Sequence, residues 1–177
     1  FNGIVTANCG EILLRSRQLC NLTEVVVREE DDEAALMEKV RIATILGTLQ
    51  ASLTNFKFVS EAWTKNTREE ALLGVSMTGI MDNPLTSGQK GVDRLADILL
   101  RLREYARDVN REYAQRIGIN PAAAITCVKP SGTVSQLVQS ASGIHTRYAK
   151  HFLRAVRVDK KDPLYRFMVD KGIYHED

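Results

Sequence analysis

Three stretches of the sequence carry side chains whose types and spacing could do chemistry. Cys9-Gly10-Glu11 sets a thiol and a carboxylate two positions apart, and on an extended segment both would share one face. Such a pair can act as nucleophile, ligand or radical carrier; equally, an inert buried cysteine can sit near a surface glutamate. Cys20 follows, ahead of Asn21-Leu22-Thr23. Two thiols closing across a hairpin form a redox pair, although segments of this length also bring cysteines together without function. Pro130-Ser131-Gly132-Thr133-Val134-Ser135 is a hydroxyl-rich turn of small residues. It suits the junction between a strand and a helix N-terminus, where backbone N–H groups favour anions, and it also suits a purely structural turn. His145 and Arg147 can bind an anion or anchor a loop. Cys127 reads as a core cysteine in a buried strand, and Trp63 as core or loop packing.

The elements that must position these residues alternate between strand and helix patterns. Ile12 to Leu14 and Glu24 to Val27 are short apolar or β-branched runs separated by polar residues, which predicts two short strands or a strand and a loop, with Cys9 on the loop leading in. Asp31, Asp32 and Glu33 then open a helical pattern over Leu36, Val40, Ala43, Leu46, Leu49 and Leu53, with the acids well placed at its N-terminus. Leu72 to Ile80 is apolar on both parities, as a strand buried on both faces would be, and Asp82-Asn83-Pro84 ends it. Leu95, Leu99, Leu102, Ala106, Val109 and Tyr113 recur at steps of three and four until Gly118, predicting a long amphipathic helix. Ala123 to Val128 reads as another buried strand, Leu153 to Val158 as an alternating strand, and Pro163 to Lys171 as a closing helix. Strands alternating with long helices predict an α/β layout with mostly parallel strands, open or closed into a barrel.

Composition narrows the function classes. The chain has 177 residues, 44% hydrophobic and 26% charged, the profile of an ordinary globular domain or a piece of one. The net charge of +2 comes from Lys and Arg residues spread along amphipathic segments, so no nucleic-acid surface is expected. The apolar runs fall short of the roughly 18–20 residues that cross a bilayer, and no leader pattern opens the chain, which predicts a cytoplasmic protein without membrane binding. Three cysteines, none in a CxxC pair, predict thiol chemistry and no metal site. The start on Phe1 suggests an excerpt from something longer.

Five runs in order carry a family resemblance: Cys9-Gly10-Glu11-Ile12, Cys20-Asn21-Leu22-Thr23, Gly74 to Asp82, Lys129 to Ser135, and Ser142-Gly143-Ile144-His145-Thr146-Arg147-Tyr148-Ala149. Together they resemble the ribonucleotide reductases across nearly the whole chain, and within them the adenosylcobalamin-dependent branch. The resemblance implies part of a ten-stranded α/β barrel whose radical cysteine sits on a central finger loop, shielded from water and stray reductants. It implies that Cys9 is the thiyl radical that takes the 3′-hydrogen of the ribose, and that Glu11 is the base on the 3′-hydroxyl. Cys20 becomes one of two thiols that reduce the substrate and end as a disulfide. Residues Pro130, Ser131, Gly132, Thr133, Val134 and Ser135 become the phosphate-binding segment. The implied cofactor is adenosylcobalamin (cobalamin). The implied partners are a ribonucleotide substrate, with a lean to the triphosphate, and a thioredoxin-like reductant, while deoxynucleotide or ATP effectors bind outside this segment. Two alternatives stay open: a reductase drawing its radical from a separate metal subunit, and a non-catalytic nucleotide-binding relative.

The family's loop usually has asparagine two residues before the cysteine, where this chain has Ala7. Phe1 to Asn8 is similar instead to the C-terminal end of an intein: an aromatic, Asn2-Gly3, a β-branched strand, and a terminal Asn8 ahead of Cys9. In that chemistry the Asn8 amide attacks its own carbonyl to release the intein, while the Cys9 thiol accepts the upstream segment. Ala7 stands where inteins commonly have histidine. The expected organisation is an intein end over residues 1–8, with a diverged reductase loop as the alternative, and a partial reductase barrel over residues 9–177.

Overall fold

A computed structural model describes residues 12–176 of the chain, in two compact units, one ending at Arg147 and one beginning at Tyr148. The division falls inside the stretch from residue 9 onward that the sequence treats as one piece.

In the first unit, β1 (Asn21–Val26) and β2 (Leu73–Thr78) pair in parallel, from Asn21 opposite Leu73 to Val26 opposite Thr78. Parallel neighbours need a long crossover, and it is made by α1 (Glu33–Ala51) and α2 (Glu61–Glu70). After β2 comes α3 (Val92–Ile117), ending on Gly118 in the left-handed conformation that glycine adopts without strain. The chain then returns alongside β2, again parallel. Here the expected strand from Ala123 to Val128 shrinks to one bridge between Thr126 and Val75. The N–H groups of Leu73 and Val75 donate to the carbonyls of Ala124 and Ile125. Donors advance by two residues while acceptors advance by one, so the ladder slips out of register. The α/β layout with parallel strands stands.

The helix α1 starts where the acids are: the Asp32 side chain accepts from Ala35 N–H and caps the first turn. Its buried stripe, however, is Leu36, Val40, Ala43, Thr44, Gly47, Thr48 and Ala51. Leu46 and Leu49, expected inside, are 52% and 44% exposed, and Leu53 lies beyond the helix at 74%. With Ile42, Leu46 and Leu49 make a second apolar stripe on the far side, so hydrophobicity alone could not orient this helix. Gly47 and the threonines share this inner face, and a Cβ on Gly47 would sit 3.4 Å from the Leu73 side chain, at ordinary contact distance. The hydroxyls of Thr44 and Thr48 donate to the carbonyls one turn back, each at 2.7 Å. Asn110 of α3 then donates to Thr48 Oγ1 at 2.9 Å and accepts from Ala122 N–H at 2.8 Å, so this buried amide is satisfied on both sides. The core joins Val25, Leu36, Val40, Leu73, Val75, Ile98, Leu102 and Ala106.

Of the two readings of the N-terminal apolar runs, the strand and loop holds, and one further expected strand is absent. Ile12 to Leu14 is irregular, because Arg15 N–H donates to Gln18 Oε1 and closes a turn instead. That turn is fastened to α2, with Arg15 paired to Glu69 and Glu70, and Gln18 donating to Glu70 at 2.6 Å. In the second unit, Leu153 to Val158 forms no strand; within that unit it has no neighbouring strand to pair with. The unit's helix, α5 (Pro163–Asp170), begins as expected on Pro163, with Asp162 capping Leu164 N–H. No helix among the described residues is long and apolar enough to cross a membrane.

Candidate active-site face

The β1–β2 pair has two unlike faces. Thr23, Val25, Leu73 and Val75 turn toward the helices, while the register pairs Leu22 with Gly74, Glu24 with Ser76, and Val26 with Thr78 make the opposite face. On that opposite face the chain gathers the segments that the motifs single out. Gly74 is its low floor: a Cβ there would lie 2.4 Å from Leu22 Cδ2, 3.1 Å from Ile12 Cδ1 and 3.2 Å from Cys127 Sγ. Ile12 directly follows Cys9-Gly10-Glu11. Asn8, Cys9 and Glu11 themselves lie outside the described residues, as does the whole stretch 1–8. Cys20 is half-buried immediately before β1. Cys127 is half-buried on this same face rather than locked in the helical core, a correction that follows from the broken ladder around Thr126.

The small-residue turn is seated on the same face by one register pair. Lys129 N–H donates to Ser76 Oγ at 3.1 Å, and Ser131 Oγ donates to Glu24 Oε2 at 3.0 Å. Ser135 Oγ donates to Gly132 O at 3.1 Å at the start of the short helix α4 (Val134–Leu137). Ser131 and Ser135 are therefore buried and turned inward, while Pro130, Gly132, Thr133 and Val134 are exposed. Among the described residues, the N–H groups of Gly132 and Thr133 have no hydrogen-bond acceptor. Gly132, at φ +58°, takes the left-handed turn that brings the chain around. Outward amides over inward hydroxyls can receive an anionic oxygen.

Beyond the strand ends, a second set of ties holds the loop before Tyr148. Thr78 Oγ1 donates to Ala141 O at 3.0 Å and accepts from Gly143 N–H at 2.9 Å. Asp82 accepts from Ala141 N–H at 2.7 Å and pairs with Arg147 through both carboxylate oxygens, at 2.9 and 2.8 Å. Arg147 also donates to Gln139 O, so it anchors a loop, the structural half of what its sequence context allowed. His145 stands exposed beside it. Asn83, fully buried, donates to the carbonyls of Arg28 and Asp31, each at 2.8 Å, and accepts from Leu85 N–H. It joins the loop after β1 to the loop after β2. In the sequence Asp82-Asn83-Pro84 marks only the end of a strand; an Asn before Pro at a strand end is the available sign of such a knot. Trp63 lies half-buried on α2. The shifted ionisations lie elsewhere: the Arg41 guanidinium holds the Glu38 carboxyl below its usual range on α1, and hydrogen bonding to Glu33 raises Arg101 on α3.

No family model matches the chain. Curated relatives do. It is 27% identical over 194 residues to the adenosylcobalamin-dependent ribonucleoside-triphosphate reductase of Lactobacillus acidophilus, covering 97% of this chain and 26% of the relative. To the protein of the same name from Lactobacillus leichmannii it is 27% identical over 183 residues, covering 90% and 24%. The chain thus spans about a quarter of the length of the curated relatives it matches. Among solved structures, it is similar to a B12-dependent (class II) ribonucleotide reductase, with a TM-score of 0.64 and 24% identity over 79% of this chain and 22% of that one. That likeness is one of fold. The resemblance carried by the five motif runs is borne out by these relatives.

Proposed function

We propose that residues 9–177 are part of the catalytic barrel of an adenosylcobalamin-dependent ribonucleotide reductase, an oxidoreductase that converts ribonucleoside triphosphates to deoxyribonucleotides with a dithiol as reductant. One observation carries the reading furthest: the turn from Pro130 to Ser135 is seated on the same face of β1–β2 as Ile12, the residue that follows Cys9-Gly10-Glu11. A nucleotide laid on this face would have its phosphates at the Gly132 and Thr133 amides and its ribose toward the thiols.

In this reading the Cys9 sulfur radical takes the 3′-hydrogen and becomes a thiol, leaving a carbon radical at C3′. Glu11 accepts the 3′-hydroxyl proton, which helps the 2′-hydroxyl leave as water. Cys20 and a second thiol outside this chain supply two electrons and two protons and close a disulfide, and Cys9 returns its hydrogen to C3′. A thioredoxin-like dithiol then reopens the disulfide. Bound adenosylcobalamin supplies the initial radical. The apolar cavity between α1, α3 and β2, about 290 Å³ and lined by Val40, Met77 and Leu102, is too small for a corrin and is not its seat. The ten-stranded barrel, the finger loop, the cytoplasmic location and effector sites outside this chain belong to the same proposal.

Cys9→Ser in the full-length protein tests it. Turnover should fall below detection while nucleotide binding persists; unchanged turnover refutes the radical role. Activity that needs a metal subunit and ignores added adenosylcobalamin would favour the alternative radical source.

We also propose that residues 1–8 are the end of an intein, with Asn8 cyclising and Cys9 accepting the upstream segment. An uninterrupted reductase sequence upstream in the gene would refute this.

A further inference from the structure

The proposed reaction makes no use of Glu24, yet this carboxylate is built into the face that carries it. Glu24 stands in register with Ser76, and both hold the same turn, one through Ser131 Oγ and the other through Lys129 N–H. The Glu24 to Ser131 bond joins residues 107 positions apart, so no local preference produces it. Ser131 is only 4% exposed, and the second oxygen of Glu24, Oε1, is buried with no described donor. The backbone at Gly143 closes the turn from behind: a Cβ there would lie 3.4 Å from Lys129 O and 3.9 Å from Ser131 N.

A bare carboxylate beside a turn that takes phosphate repels the ligand, so it is an unexpected component of an anion site. Its hydroxyl partner gives it a use. A hydroxyl donating to an ionised acceptor makes one of the stronger hydrogen bonds available, and here the bond pins Ser131 beneath the turn. With Ser131 held down, Gly132 and Thr133 remain at the surface.

We propose that Glu24 is the positioning residue of the phosphate turn. By accepting the Ser131 hydroxyl it keeps the N–H groups of Gly132 and Thr133 available to the nucleotide's phosphates, without touching them itself. This rests on the reading of Pro130 to Ser135 as the phosphate-binding segment.

The test uses the full-length reductase, with kcat and KM for a ribonucleoside triphosphate and equilibrium binding of that triphosphate and of the matching nucleoside. Glu24→Ala should raise KM about ten-fold with kcat within about two-fold, the effect expected of one charge-assisted hydrogen bond. Ser131→Ala removes the same bond from the other side and should read the same, even if Glu24→Ala does not fold. The double variant should be no worse than either single one. Glu24→Gln keeps an acceptor and should return KM to within about two-fold of the parent. Nucleoside binding should be equal throughout. An unchanged KM in Glu24→Ala, additive effects, a Gln variant as impaired as Ala, or a parallel loss of nucleoside binding would each overturn the role. Thr133→Pro separates this failure from that of the underlying reading, because it deletes one N–H at a φ of −77° that proline adopts. If Thr133→Pro leaves triphosphate affinity intact, the phosphate-binding reading fails; if it weakens affinity while Glu24→Ala does not, only the positioning role fails.

Discussion

The two faces of the β1–β2 pair divide the labour of the molecule. Toward the helices, Val25, Leu73 and Val75 meet Leu36, Val40 and Ile98 in a continuous apolar core. On the other side, Gly74, Ser76 and Thr78 of β2 are as buried as their neighbours, but Gly74 lies under Leu22, Ile12 and Cys127, while Ser76 and Thr78 carry turns held by hydroxyls and the Glu24 carboxylate. One strand thus serves as wall to a core and as floor to the proposed site. Damage to the first face should be read in global stability, and damage to the second in the placement of one loop.

Three substitutions sharpen or break that division. Leu36→Ala, on the helical side and fully buried, should cost about 3 kcal/mol of global stability in chemical denaturation, from lost transfer energy and a cavity. A loss under about 1 kcal/mol would mean that the core is not where the stability lies. Thr78→Val keeps the shape of the side chain but leaves Gly143 N–H without its acceptor, while Ala141 O loses one of its two donors and keeps Gly79 N–H, at about 1–2 kcal/mol. Its mark should be faster amide exchange confined to residues 139–147, and uniform acceleration across β1 and α1 would erase the distinction between the faces. The smallest effect belongs to Gly47→Ala. The new methyl meets Leu73 at ordinary contact distance, so helix propensity should leave thermal stability unchanged or raised by up to about 1 kcal/mol. A marked loss would show that α1 lies tighter on the sheet than its contacts indicate.

Legibility in the sequence followed how local each feature was. The helix α3 was plain from its three-and-four spacing and the stop at Gly118, although its buried stripe runs through Ile98 and Asn110 rather than Leu99 and Tyr113. Apolar residues on both parities marked β2 correctly. The apolar period points to the wrong inner face of α1, because leucines occupy its outer side and threonines its inner one. No apolar period announced α2; Thr67 is its one buried residue, and the helix is held through Asn66, Glu69 and Glu70, which bond Arg15 and Gln18. The alternation in Leu153 to Val158 had no partner strand within its unit to realise it. At the site, the motif located the turn, but not that Ser131 points down onto Glu24. That fact, like the pairing of Asp82 with Arg147, depends on residues brought together from far apart in the chain.

The second apolar stripe of α1 has a consequence during synthesis. Ile42, Leu46 and Leu49 leave the ribosome well before β2 and α3, and when those arrive they cover only the opposite side of the helix. Until something else packs over the stripe, it is a sticky surface competing for wrong partners. The order in which neighbouring segments emerge, rather than the strength of the finished core, then sets how much of the nascent protein escapes aggregation.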